Sequence, residues 1–160
     1  IDPSIPEKFG HFRNVRFLTG FSQDVVPPLM DELERQGIAI DFVLIDGDHS
    51  AEGVKRDIEI VTSRRPLAPM FVMLHDGFNP ECRRGMLAAR WADSPWVRWV
   101  DTDFIPGRVM EHGGAGTGEM WGGLACAFLS PEPRTGPLQV RTTAGAMQAE
   151  LAATHYGSGS

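Results

Sequence analysis

The sequence predicts an α/β fold, an open and mostly parallel sheet flanked by helices, on three observations. Residues 41–45 (DFVLI) and 70–74 (MFVML) are short apolar runs of the kind found in strands buried on both faces. Each is followed by a helical pattern, and strands alternating with helices of about 10–15 residues give parallel sheets with right-handed crossovers. Each run also ends in acid and histidine: Asp46-Gly47-Asp48-His49-Ser50 after the first, His75-Asp76 after the second. The carboxyl ends of parallel strands are where such sheets bind ligands.

In chain order, Ile1-Asp2 resembles the end of a strand, and Pro3 and Pro6 open a loop that runs to Asn14. With Ile rather than Met in first place, further chain is expected upstream. Residues 15–18 (VRFL) predict a short strand, turned by Thr19-Gly20-Phe21-Ser22. Asp24 caps or opens a helix that runs to about Gln36, with Val26, Met30 and Leu33 at helical spacing and Gly37 as its stop. Pro27 and Pro28 are tolerable only in its first turn. After strand 41–45, Ser50 caps a helix from Ala51 to about Ser63 whose buried stripe is Val54, Ile58 and Val61.

Pro66 and Pro69 bracket the link into strand 70–74. Pro80 takes the first position of a helix over 81–92, with Leu87 and Trp91 facing inward together, and Pro95 closes the link that follows. Residues 97–100 and 121–129 predict two further strands. No helical pattern lies between them in 106–120, so one of the two runs antiparallel. Past Pro131 the pattern fades into loop signals at Pro133, Gly136 and Pro137, a short helix over 144–153 and a flexible end over 157–160. The expected division is an α/β domain over 1–130, incomplete at its N-terminus, and an extension over 131–160.

Composition narrows the function classes. A chain of 160 residues with 42% hydrophobic and 22% charged residues has room for one domain with a real core. A net charge of −6 argues against a nucleic-acid-binding surface, which needs surplus Lys and Arg to neutralise phosphates. Cys82 and Cys126 form no CxxC pair, so they are expected to be reduced thiols. No apolar run approaches the ~20 residues of a membrane span, and no basic-then-apolar leader opens the chain. The expectation is a cytoplasmic protein with no membrane and no nucleic-acid partner.

The two strand tips suggest one site. Adjacent parallel strands lie ~4.8 Å apart, so carboxylates at neighbouring tips can share a divalent cation or work as acid and base. Each residue has a plainer structural reading. Asp46 and Asp48 can form an acidic turn that caps the next helix, and His75-Asp76 can serve loop hydrogen bonding. Asn79 fits an Asx-turn before Pro80 better than it fits a ligand. Trp91, Trp96 and Trp99 read as core or interface aromatics. His112 lies in the run EHGGAGTGEMWGG, which lacks the Lys-Ser/Thr ending of a phosphate loop and suits a flexible lid or an interface loop.

Together these segments resemble a class I S-adenosylmethionine-dependent methyltransferase, entered at the end of its second strand. The likeness covers about residues 1–129 and implies a Rossmann-like, mostly parallel sheet with helices on both faces and an antiparallel last strand. Asp2 is similar to the acid that binds the ribose hydroxyls of the cofactor. VRFLTGFSQDVVPPL resembles strand three and the loop flanking the adenine, which implies cofactor contacts from Phe21, Ser22 and Gln23. IDGDHSAEGVKRDIEIV resembles strand four and its helix, FVMLHDGFNP strand five, and WGGLACAFL the closing antiparallel strand. The first strand and its glycine-rich turn would lie upstream.

Within that fold, IDGDHS with HD resembles the metal-dependent O-methyltransferases of antibiotic sugars and aglycones, and their cephalosporin-hydroxylase-like relatives. The resemblance implies Asp46 and Asp76, with His75, as ligands of magnesium or another divalent cation. Asp46 also borders the cofactor, and Asp48 or His49 is the base that deprotonates the substrate hydroxyl. His75 stands where that group carries an acid, and magnesium prefers oxygen. The implied activity is O-methyl transfer to a small natural product or sugar; separately, the loop-rich C-terminal region would suit a subunit contact in a homo-oligomer.

Two other functions compete. Asp46-x-Asp48-x-Ser50 resembles the nucleophile motif of haloacid-dehalogenase-type phosphatases, which also need a later lysine; none follows Lys55. The other is a non-catalytic Rossmann-like subunit that scaffolds a partner.

Overall fold

The computed structural model describes residues 12–110 and 119–141. The expectations for residues 1–11, for His112 and its glycines in 111–118, and for residues 142–160 lie outside the described residues. Within them the architecture is α/β. Helix α1 spans Ser22–Arg35, β1 Phe42–Ile45, α2 Ala51–Thr62, β2 Met70–His75 and α3 Pro80–Ala88, followed by a short 3₁₀ turn at Trp91–Asp93. Then come β3 Val97–Ile105, β4 Arg108–Met110, β5 Glu119–Trp121, β6 Leu124–Leu129 and β7 Gln139–Arg141.

Five strands form one mixed sheet in the order β1-β2-β6-β3-β7. β1 and β2 are parallel, as are β3 and β7, while β6 runs antiparallel to both β2 and β3. The antiparallel strand expected within residues 121–129 is therefore present, in the middle of the sheet, and the sheet is mixed instead of mostly parallel. β4 and β5 pair with each other as a separate two-stranded arm where a plain loop was expected over 106–120.

The core occupies one side of this sheet. Ile45, Val72, Leu74, Val97, Val100, Ala127 and Leu129 interlock with the expected α2 stripe of Val54, Ile58 and Val61, all buried. Cys82 and Met86 of α3 complete the layer. Strand side chains alternate between faces, so Phe42, Leu44 and Phe71 project from the opposite face, where they are exposed. Phe71, Trp99 and Phe128 form an aromatic row on that face, with centroids 5.1 Å apart for Phe71–Phe128 and 6.2 Å for Trp99–Phe128. Helices on both faces were expected; among the described residues all three lie on one.

Local chemistry explains the other departures. Residues 15–18 form no strand, because no ladder partner lies beside them among the described residues, and Val15, Phe17 and Leu18 are exposed. Helix α1 begins at Ser22, two residues before Asp24, which leaves Pro27 and Pro28 in its second turn. Gly37 ends that helix as expected, in the left-handed conformation at φ +68°. Helix α3 stops at Ala88, so the helical spacing that would bring Leu87 round with Trp91 is broken. Leu87 is 58% exposed, while Trp91 is buried and donates its indole N–H to the Met86 carbonyl at 2.7 Å.

Past Pro131 the chain stays attached. Arg134 donates to the carbonyls of Ala92 (2.9 Å) and Ser94 (3.0 Å), and β7 pairs with β3. Cys82 and Cys126 are buried free thiols. Among the described residues no helix is long and apolar enough to cross a membrane.

Candidate active site

The site follows from strand register. β1 and β2 pair with Ile45 opposite Leu74, which places Asp46 beside His75 at the carboxyl ends of both strands. His75 Nδ1 lies 3.3 Å from Asp46 Oδ1 and 3.4 Å from Asp76 Oδ1. His49 enters from the turn before α2, with Nε2 3.4 Å from Asp46 Oδ1 and Nδ1 3.5 Å from Asp76 Oδ2. Four residues from two strand tips are thereby brought together. Asp76 is the most deeply seated of the four, its side chain 11% exposed against 46% for His49.

The chain bends sharply to present Asp76. Its φ of +54° makes it the only non-glycine residue with positive φ among the described residues. Aspartate tolerates the left-handed region better than most side chains. The turn is closed by Asn79 N–H donating to the Asp76 carbonyl at 2.9 Å. Asn79 itself caps α3, its side-chain oxygen accepting from the Glu81 N–H at 3.0 Å, so the Asx-turn reading describes it.

Asp48 turns away from the cluster. One of its oxygens accepts from the Ser50 N–H and the other from the Ser50 hydroxyl, both at 2.9 Å, while Ser50 Oγ accepts from the Gly53 N–H as the cap of α2. These bonds from Ser50 hold the Asp48 carboxyl below its ordinary value. An acid with a lower pKa folded than unfolded adds stability above its unfolded value, and that stability is lost as pH falls through the folded value. Asp48→Asn is therefore expected to lower stability at neutral pH and to flatten the acid limb, measured by urea denaturation between about pH 3 and 7. An acid limb identical to that of the parent would show that the Ser50 bonds do not persist in solution.

The tips are also negative. Cys82, whose Sγ lies 3.7 Å from the His49 carbonyl oxygen, has its thiol pushed up to about 11, by burial first and then by the charges of Asp76 and Asp46. It stays a neutral thiol at physiological pH and serves packing.

A cleft of about 250 Å³ opens beside the cluster, between α1, β1 and α2. Ser22 and Asp46 line it together with apolar Val26, Val43 and Val61. Ser22 donates its hydroxyl to Asp57, a second acid of the cleft that the sequence reading missed. Its only signal was a charge at position 57, beside the apolar stripe of α2. Gln23 accepts from Arg56 at 3.2 Å, and Phe21 precedes α1 as an exposed ring. Asp2 lies outside the described residues.

Among the described residues, no group of three or more His, Cys, Asp or Glu side chains is arranged so that it could hold a metal ion. No protein-family model, curated protein or solved structure matches this chain.

Proposed function

We propose that the chain is an S-adenosylmethionine-dependent O-methyltransferase domain in which His49 takes the proton from a hydroxyl of a small natural product or sugar. The observation that carries this reading is the placement of His49 between Asp46 and Asp76 at two parallel strand tips. A histidine facing a half-exposed acid on one nitrogen and a deeply seated acid on the other is arranged as an oriented base. Either ring nitrogen can carry the proton, since Nε2 lies 3.4 Å from Asp46 Oδ1 and Nδ1 3.5 Å from Asp76 Oδ2; in this reading the proton sits on Nδ1, facing Asp76, and Nε2 takes the substrate proton. Separations of 3.4–3.5 Å are long for hydrogen bonds, and such contacts commonly shorten once substrate is bound.

The cleft beside the tips supports a nucleoside cofactor. Its valine walls suit a purine face, and Asp46, Asp57 and Ser22 are hydrogen-bond partners for hydroxyl and amino groups. The antiparallel β6 falls within the segment that resembles the family's closing strand, which supports the reading, although β7 follows it in the chain. S-adenosylmethionine would supply a methyl group on a sulfonium, whose C–S electron pair stays on sulfur as the acceptor oxygen bonds the carbon. The protein's part is to hold the hydroxyl against His49 Nε2 and to receive its proton there, with Asp76 steadying the imidazolium that forms. The proton transfer needs no magnesium, and among the described residues no group of three or more His, Cys, Asp or Glu side chains is arranged to hold a metal ion.

A non-catalytic scaffold is the second reading, favoured by the exposed Phe42, Leu44 and Phe71 on the sheet face that no helix among the described residues covers. A phosphatase would need Asp48 to shuttle a proton, and both Asp48 oxygens are engaged by Ser50.

A thermal-shift titration of the natural full-length protein with S-adenosylhomocysteine, with magnesium and with both separates these readings. Stabilisation by the nucleoside is expected, since a ligand that binds only the folded state raises its stability by mass action. Further stabilisation by magnesium that Asp76→Asn removes would assign the ion to these tips. A folded protein that shows no response to the nucleoside would exclude the methyltransferase and leave the scaffold.

A further inference from the structure

We infer that Arg83 is a positioning residue for Asp76, and through Asp76 for His49, an inference that rests on the reading of His49 as the base. Arg83 stands on α3, and its contacts are with Asp103, Gly77, Thr102 and Phe78. Its guanidinium does four things at once. Nη2 meets Asp103 Oδ1 of β3 at 2.6 Å, and Nη1 donates to the Gly77 carbonyl at 3.2 Å. Nη1 also lies 3.4 Å from the Thr102 carbonyl oxygen, and Cζ sits 5.2 Å from the Phe78 ring centre. The side chains of Arg83 and Asp103 are 18% and 2% exposed, so the pair is almost wholly withdrawn from water.

Gly77 and Phe78 directly follow Asp76. Arg83 thus fastens the two residues after the left-handed Asp76 to the backbone of β3. The same two residues are held from the other side, where Gly77 N–H donates to the Gly123 carbonyl at 3.3 Å and Phe78 N–H to the Gly122 carbonyl at 3.0 Å. There is no slack in this packing: a Cβ on Gly123 would strike the Phe78 ring and stand 2.7 Å from the Gly107 nitrogen. A left-handed aspartate persists only where its surroundings over-determine it, and the Arg83 fork, with the glycine carbonyls opposite, supplies that restraint.

Arginine is required for geometric reasons. A planar guanidinium can pair with a carboxylate, donate to carbonyls and stack on a ring simultaneously, whereas an ammonium at the end of a lysine keeps the charge but not the fork. Arg83→Lys is therefore expected to retain an ion pair with Asp103 while removing one of the two sides from which the Gly77–Phe78 segment is held.

The test compares the parent, Arg83→Lys, Asp103→Asn and Asp76→Asn by ¹⁵N NMR of the imidazoles at fixed pH. Binding of S-adenosylhomocysteine and methyl transfer to a panel of vicinal diols and phenols are followed in parallel. In Arg83→Lys the His49 Nδ1 resonance is expected to move towards its position in Asp76→Asn, while strand amides of β2 and β6 stay in place. The transfer rate at saturating acceptor should fall by up to about 10²-fold, the scale set by misplacement of a catalytic group by about 1 Å, with KM unchanged. Should Arg83→Lys fail to fold, Asp103→Asn provides the same readout. An unmoved His49 resonance in a folded variant would reduce Arg83 to a stability residue and overturn the inference. Absence of nucleoside binding and transfer in the parent would instead overturn the methyltransferase reading, with the resonance comparison still deciding whether Arg83 positions His49.

Discussion

Replacing His49 by alanine is expected to lower methyl transfer by about 10²–10⁴-fold, the usual loss when a positioned general base is removed, with little change in stability or in nucleoside binding. The expectation comes from where His49 sits. It is half exposed, so its removal leaves no cavity, and its ring spans the gap between Asp46 and Asp76 without a role in the core. Asp48→Asn is the contrasting variant, because that carboxylate is held by Ser50 and faces the start of α2. It should change the rate by less than about 10-fold, below the ~10² that a general base contributes at its smallest, while changing acid stability as described above. A reversed outcome, with Asp48→Asn inactive and His49→Ala active, would transfer the role of base to Asp48. Equal activity of both variants would take the proton-transfer step away from this tip altogether.

What the sequence made legible was local and periodic. The stripe Val54, Ile58 and Val61, the cap at Ser50, the stop at Gly37 and the two acidic strand tips were all readable, because each is written within a few neighbouring residues. The meeting of His49, His75, Asp46 and Asp76 was also expected, since strand adjacency converts two local motifs into one site. What was not legible depended on partners distant in the chain. Residues 15–18 have a strand's composition, but a strand needs a ladder beside it. The inward face of α3 was misassigned because Trp91 lies beyond the end of the helix, on a 3₁₀ turn, so the Leu87–Trp91 spacing has no geometric meaning there. Asp57 and the Arg83–Asp103 pair were invisible for the same reason. A single charge in a helix or strand carries no mark of whether it meets water, a cleft or a buried partner.

Gly85→Ala should destabilise the protein by about 1–2 kcal/mol, against the trend of glycine-to-alanine changes within helices. In an exposed helix this substitution gains up to ~1 kcal/mol by propensity. At position 85 the added methyl group would collide with the Ala51 carbonyl oxygen and stand 2.8 Å from Val54 Cβ and 3.1 Å from the Ala51 carbonyl carbon. Two of those atoms are backbone, so no rotamer change relieves the clash and α2 and α3 must separate. Overpacking of this kind costs about 1–3 kcal/mol, occasionally more, enough to reverse the propensity gain. The separation also reaches the site. Ala51 opens α2 directly after His49 and Ser50, and Cys82, one helical turn before Gly85, holds its thiol against the His49 carbonyl. Pushing the helices apart therefore shifts His49 relative to Asp76, which stays with β2. Urea denaturation gives the stability, with Leu87→Ala as a control expected within about 0.5 kcal/mol because that side chain is largely exposed. A Gly85→Ala protein as stable as the parent would show that the two helices do not approach this closely, and would remove the α2–α3 contact as a restraint on where His49 sits relative to Asp76.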